Sequence, residues 1–238
     1  MTWPWRIAFS LLAAGAAYGV ELHGSVRLLH SRVPAVRSGR DYSGVVVWLD
    51  PAGPAPPPPA RPGLLTMEQK GKRFVPHVLA AEVGSTVRFP NLDPIFHSAF
   101  SNFSGQIFEF GLYPPGASRD VTFSRSGVVR IFCNIHPAMS AVIVVLKEPW
   151  FAVSGQSGAF AIHDVPPGDY RLHLFHERAT RETLDQLERR VQVSGQTMTL
   201  PPLDISETGY LESPHKNKYG HDYPPVTDEG GAYPAGRK

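Results

Sequence analysis

The sequence holds 238 residues with a formal net charge of +2, and 42% of them are hydrophobic and 18% charged. That is enough apolar material for one large or two small cores, and it excludes a globally disordered chain. The weak positive balance does not argue for a nucleic-acid partner, and no Lys/Arg run interleaved with aromatics supports one.

At the N-terminus, "MTWPWRIAFSLLAAGAAYGVELHG" sets one positive charge, Arg6, ahead of an apolar stretch from Ile7 to about Val20 that is rich in small residues. This layout predicts a secretory signal over residues 1–19, cleaved after Ala17 or Gly19, which would deliver a soluble protein to the periplasm. The stretch is short for a membrane span, and the competing reading is an uncleaved anchor. "GSVRLLHS" and "SGVVVWLD" follow as two strand candidates, the second rich in β-branched residues. "PAGPAPPPPARPG", residues 51–63, cannot join a sheet interior and reads as a semi-rigid surface connector. "HVLAAEV", a turn at "GS", and "TVRF" predict a strand pair. "FHSAFS", "GQIFEFGL", "SRDVTFSRSG" and "VVRIFC" are further short strands or turns, and "SAVIVVL" is the strongest buried strand of the chain. Short strands at this spacing, with Gly and Pro between them, point to an all-β sandwich or barrel.

The composition changes near Lys147 to Trp150. This predicts a first module over 20–147 and a second small β-sandwich over 148–205, with a "PPGD" turn between two of its strands. "LERRVQV" and "TMTLPPLDI" add two strands, and "TRETLDQLERR" could begin as a short helix. From about Ser206 the chain is poor in apolar residues and rich in Gly, Pro and charge, which predicts a flexible tail over 206–238.

"IFCNIHPAM" holds the only cysteine. In an exported chain an unpaired thiol invites oxidation, and a bound metal removes that liability. Cys133, His136 and Met139 give the spacing C-x2-H-x2-M on a tight loop between two strands, stiffened by Pro137. Soft sulfur ligands with imidazole select copper over calcium or magnesium, and a His2Cys set with a weak axial Met describes a blue-copper site. The second histidine has one good candidate, His97 in "FPNLDPIFHSAF". A Cys–His pair also serves nucleophilic catalysis, but no orienting third group or glycine cluster accompanies this one.

With these residues in view, the stretch from about Leu65 to Lys147 resembles the cupredoxins, the family of plastocyanin, amicyanin and azurin. "FVPHVLAAEVGSTVRFPNLD" is similar to the family's opening, and "CNIHPAM" matches the spacing of amicyanin's ligand loop. The whole layout resembles exported methylamine-utilisation-type proteins, in which a cupredoxin Greek-key sandwich precedes a transthyretin-like or carboxypeptidase-regulatory-like sandwich. The resemblance implies one type 1 copper ion on His97, Cys133, His136 and Met139. It also implies a non-enzymatic protein that passes single electrons between transient protein partners, with His136 as the electron exit beside Pro137, Ala138 and Phe96. The alternative is a copper carrier or sensor without an electron-transfer role; the four methionines do not cluster as such proteins' ligands often do. One departure stands out. Cupredoxins usually carry asparagine directly after the first histidine ligand, tying the two ligand loops together, and here the residue is Ser98, which has fewer donors and a shorter reach. His77, His163, His173 and His176 stay outside the expected site. His215 and His221 belong to the expected solvated tail, and Glu109 and Asp120 are expected surface charges.

Overall fold

The structure, a computed structural model, describes residues 19–53, 61–102, 106–211 and 215–223. The signal reading, the middle of the proline-rich connector and the last part of the tail lie outside the described residues.

The N-terminal part contains β1 (Val20–Leu29), a single helical turn α1 (Pro34–Arg37) and β2 (Val46–Pro51). The middle part runs through β3 (Leu64–Thr66), β4 (Glu68–Gln69), β5 (Phe74–Val75), β6 (Val78–Glu82), β7 (Thr86–Pro90), β8 (His97–Ser101), β9 (Phe108–Tyr113), β10 (Ser118–Thr122), β11 (Gly127–Phe132) and β12 (Ser140–Leu146). The last part comprises β13 (Phe151–Val153), β14 (Ala159–Val165), β15 (Gly168–Phe175), helix α2 (Arg181–Leu187), β16 (Arg189–Val193), β17 (Met198–Thr199) and β18 (Leu203–Ser206). The protein is all-β, as its strand spacing predicts. "TRETLDQLERR" resolves into both candidates: Thr180 caps α2 by accepting the Thr183 amide, and β16 follows. Pro201 and Pro202, which cannot donate to a ladder, split "TMTLPPLDI" into β17 and β18.

The strand pairing divides the chain differently from the expected boundary at residue 147. β1 pairs with β14, β17 and β18, and β2 lies between β13 and β15. Both N-terminal strands therefore belong to the C-terminal sandwich. Its two sheets, β14-β1-β17 with β18 on β1 and β13-β2-β15-β16, close over Leu22, Val26, Val47, Leu49, Ile162 and Leu172. The middle segment is inserted between β2 and β13. It forms its own pair of sheets, β10-β7-β3 and β6-β12-β11-β8-β9, over Val87, Phe89, Phe123, Val129, Ile131 and Ile143. Alternation assigns side chains to faces but not a strand to a partner, because pairing is set by contacts distant in sequence.

The two apolar runs have a common cause. In β12, Ala141, Ile143 and Val145 face the inserted core, while Val142, Val144 and Leu146 face a third apolar cluster. In β2, Val47 and Leu49 face the N/C-terminal core, and Val46 and Trp48 reach that same third cluster. The third cluster, which also takes in Val78, Ala80, Phe151 and Phe175, is the seam between the two sandwiches. A strand buried on both faces needs apolar side chains at every position, which explains "VVVWL" and "AVIVVL".

The end of the inserted unit that matters here is where β11 and β8 finish and start. The two strands pair antiparallel through Phe132 and Phe100, which sets the start of β8 beside the loop leaving β11. His97 opens β8, and Cys133 to Met139 form that loop.

Candidate metal centre

Four side chains were expected here, and the structure brings three of their donor atoms to one point. The ring nitrogens of His97 and His136 and the Cys133 sulfur lie within 4.8 Å of one another. His97 Nδ1 and His136 Nδ1 are 3.1 Å apart, and His136 Nδ1 is 3.6 Å from Cys133 Sγ. Met139 is fully buried in the same apolar cluster as Cys133. Its carbonyl accepts the Cys133 amide at 3.1 Å, and its amide donates to the His136 carbonyl at 3.0 Å, so it pins the loop closed from the far end.

His97 is held by its other nitrogen. Nε2 donates to Asp93 Oδ2 at 2.8 Å, which orients the ring and turns Nδ1 toward the cluster. The Asp93 carboxylate is itself held by the Gly71 amide at 2.6 Å and the Lys72 amide at 2.8 Å. Those two residues sit at φ +62° and +56°, so that their successive amides point to one side; glycine takes this conformation without strain at the first position. Burial would raise the Asp93 pKa, but the Lys72 amide, His97 and the Gly71 amide together bring it below the usual carboxylate range. Asn91 braces the same loop, with Nδ2 donating to the Ile95 carbonyl at 2.8 Å and Oδ1 accepting the Asp93 amide at 3.1 Å. Gln69 supports β8 from below by donating to the Ser98 carbonyl at 3.0 Å.

Cys133 is fully buried. Burial alone would push its thiol up, yet hydrogen bonding from His136 and His97, with the Ile135 amide and Ser98, outweighs it and lowers the pKa to about 5. These contacts favour the thiolate, the form that binds metals. Burial would also lower the His97 pKa, but Cys133 and Asp93 raise it above the usual imidazole value. Two imidazole nitrogens aimed at each other at 3.1 Å repel unless a proton or a cation lies between them.

The donor set fits a soft or borderline transition metal. Bonds of about 2.0–2.1 Å to nitrogen and about 2.3 Å to sulfur around a near-tetrahedral ion put nitrogen pairs about 3.3 Å apart and nitrogen–sulfur pairs about 3.6 Å apart. The 3.1 Å and 3.6 Å separations match that scale.

Ser98 does not leave the loops untied. Its hydroxyl accepts the Asn134 amide at 2.8 Å and lies 3.7 Å from Cys133 Sγ. Serine here bridges β8 to the residue after the cysteine, which is the tie its shorter reach put in question. His77 is outside the cluster, as expected: it bonds the Ser140 carbonyl and Glu177. His163, His173 and His176 each bond carboxylates in the N/C-terminal sandwich. Glu109 and Asp120 are paired, with Lys218 and Arg88.

The described part of the tail departs from the solvated reading. Glu207 is buried between Ser31, His176 and Arg178. Residues 215–223 lie on the ligand loop itself, with Tyr223 donating to the Cys133 carbonyl at 2.7 Å and His215 Nε2 donating to the Pro137 carbonyl at 2.6 Å. Burial, then the Cys133 charge, pushes the Tyr223 phenol up to about 12, so it remains a donor. Its low apolar content made this segment look like solvated chain. Only the aromatic and histidine content of "HKNKYGHDY" hinted otherwise. The one signal for Asp93 was an acidic residue four before His97.

These features define a pair of β-sandwiches, one inserted in the other, with a largely buried cysteine–histidine cluster of metal-ligand spacing at the end of the inserted unit. No family model matches the chain, and no curated protein matches it. Solved structures similar to it include a copper-containing nitrite reductase from Thermus scotoductus SA-01, with 28% identity over 40% of this chain and a TM-score of 0.35. The chain spans 26% of that enzyme's length. An oxidized amicyanin variant matches with 18% identity over 34% of this chain and 81% of its own, at a TM-score of 0.33. A purple cupredoxin from Nitrosopumilus maritimus matches with 21% identity over 35% of this chain and 99% of its own, at a TM-score of 0.32.

Proposed function

We propose that His97, Cys133, His136 and Met139 hold one copper ion, and that the protein is an exported, non-enzymatic carrier of single electrons between transient protein partners. The observation that carries the reading is the convergence of His97 Nδ1, His136 Nδ1 and the Cys133 sulfur within 4.8 Å. Copper bound there supplies a one-electron Cu(II)/Cu(I) couple. The Cys133 sulfur and the imidazoles of His97 and His136 would be the three strong donors, and Met139 would be a weak fourth. Asp93 holds the His97 ring in one orientation, while Ser98, Met139 and the surrounding core keep the cysteine loop in one shape, which limits rearrangement when the charge of the site changes.

His136 is half-buried, whereas Cys133, His97 and Met139 are buried, so the side of the site open to a partner is the His136 side. Ile135, Pro137 and Ala138 are exposed around it, and so is Phe96. A small apolar face of this kind suits a weak, short-lived redox encounter. The same buried, braced donors weigh against the reading as a copper carrier or sensor, whose function requires ligands that let the ion go. Among the described residues no helix is long and apolar enough to cross a membrane.

Adding copper(II) to the purified protein is expected to give an intense visible band from thiolate-to-copper charge transfer. Cys133→Ser is expected to abolish it, because an alcohol is a poor soft ligand. Colour that survives in the serine variant removes Cys133 from the ligand set and this reading with it.

A further inference from the structure

We infer that residues 215–223 are a strap that positions the ligand loop, with Tyr223, His215 and Lys218 as its positioning residues. The inference rests on the proposed metal-site reading for its purpose, but its geometry stands without a metal. The strap bonds the loop at three places. Tyr223 Oη donates to the Cys133 carbonyl at 2.7 Å, the Lys218 amide donates to Asn134 Oδ1 at 3.0 Å, and His215 Nε2 donates to the Pro137 carbonyl at 2.6 Å. These points are one expected ligand, the residue after it and the residue after another. The His215 ring stacks on Phe132, with centroids 4.1 Å apart and planes at 25°, and Tyr223 meets His215 edge-on at 5.1 Å.

The strap has its own internal order. Asn217 Oδ1 accepts the Tyr219 and His221 amides at 2.9 and 3.0 Å, and the Asn217 amide donates to the His221 carbonyl at 2.9 Å. Gly220, at φ +77°, supplies the left-handed turn. A Lys218–Glu109 ion pair anchors the turn to β9. The segment therefore makes a hydrogen-bonded turn whose outward groups end on the loop. Solvated chain would not place a phenol, an imidazole and an amide on three separate acceptors of one seven-residue loop. In opening to admit or release an ion, the loop has to break these bonds, so the strap slows exchange and fixes the direction of the Cys133 side chain.

The test uses the full chain as wild type, Tyr223→Phe and Tyr223→Ala. Phenylalanine keeps the ring and removes the donor; alanine removes both. In metal-free protein, the Cys133, Asn134 and Met139 amides, each hydrogen-bonded in the loop region, are expected to exchange roughly tenfold faster in Tyr223→Ala and by a smaller factor in Tyr223→Phe, as loss of one or two weak interactions implies. Amides in β1 and β15 are expected to keep their rates. In copper-loaded protein the charge-transfer band is expected to shift, and copper is expected to pass to a competing chelator faster in the order wild type, Tyr223→Phe, Tyr223→Ala. Unchanged loop exchange, or a uniform rise across both sandwiches, overturns the strap. If wild-type protein shows no copper band, the metal reading fails by itself, and the exchange comparison still decides whether the strap holds the loop.

Discussion

The Ser98 hydroxyl is the smallest group on which the candidate site depends. It accepts the Asn134 amide and lies beside the Cys133 sulfur, while the Gln69 side chain holds the Ser98 carbonyl. Ser98→Ala leaves the partly buried Asn134 amide without its acceptor. Such a loss is expected to lower the stability of the metal-free protein by about 1–3 kcal/mol, read from urea denaturation. Asparagine brings a longer side chain into a position that is 3% exposed. Overpacking is then expected to cost about 1–3 kcal/mol, so Ser98→Asn destabilises the protein rather than stiffening its site. An asparagine variant as stable as the wild type would mean that the pocket has room for the amide. The ligand candidates themselves were legible because Cys133, His136 and Met139 lie in one short loop whose spacing is readable in the chain. Asp93, Gln69, His215 and Tyr223 were not assigned roles, because each acts through a partner that only the folded pairing of strands and loops supplies.

At the scale of elements, strand existence was far more legible than strand partnership. "SAVIVVL" predicts β12 over the very residues that form it, and the structure adds that its two faces serve two different cores. β1 and β2 read as strands equally well in either sandwich, and their ladders are made with residues more than a hundred positions away. Across the seam, His77, just before β6, bonds Glu177, just after β15, at 2.8 Å. The hydrogen bond to Glu177 raises the His77 pKa above the usual imidazole value despite burial. Burial would raise Glu177, but the bond from His77 outweighs it and lowers the carboxyl. A histidine whose folded pKa is raised contributes stability that is complete below its unfolded value near 6.5 and is lost as pH rises through the folded value. The depressed Glu177 sets the acid limit, since its contribution is lost as pH falls through its lowered value. His77 is nearly half exposed, and solvent keeps the effect small. The stability advantage of the wild type over Glu177→Gln, read as the difference in urea midpoint, is therefore expected to shrink as pH rises above about 6.5; the lowered Cys133 thiol changes stability with pH in both proteins alike and cancels from that difference. Burial depresses His176, which acts in the opposite sense, and loss of the Glu177 charge deepens that depression. Equal pH slopes in the two proteins would remove the seam ion pair as a source of stability.

At the scale of the whole molecule, the inserted architecture determines what can be cut away. A fragment spanning residues 20–147 keeps β1 and β2 but removes every strand they pair with. It leaves open ladder edges and exposes Leu22, Val26, Val47 and Leu49, so it is expected to aggregate. A fragment spanning 61–148 keeps all the pairings of β3 to β12 and the whole core beneath Cys133. At about 90 residues it is within the size range of domains that fold alone. Its weak point is the bared seam, where Val78, Ala80, Val142, Val144 and Leu146 lose the cover of Val46, Trp48, Phe151 and Phe175. Self-association through that face is expected, and Val142→Thr with Val144→Thr, which keeps β-branched side chains while making the face polar, is expected to return a monomer. The fragment also lacks residues 215–223. It is expected to take up copper with the same kind of band as the full chain but to lose it to a chelator faster. Size-exclusion chromatography and circular dichroism of the two fragments decide between the divisions of the chain. A cooperative, soluble 20–147 fragment beside an unfolded 61–148 fragment would sink the inserted arrangement and return the boundary to residue 147.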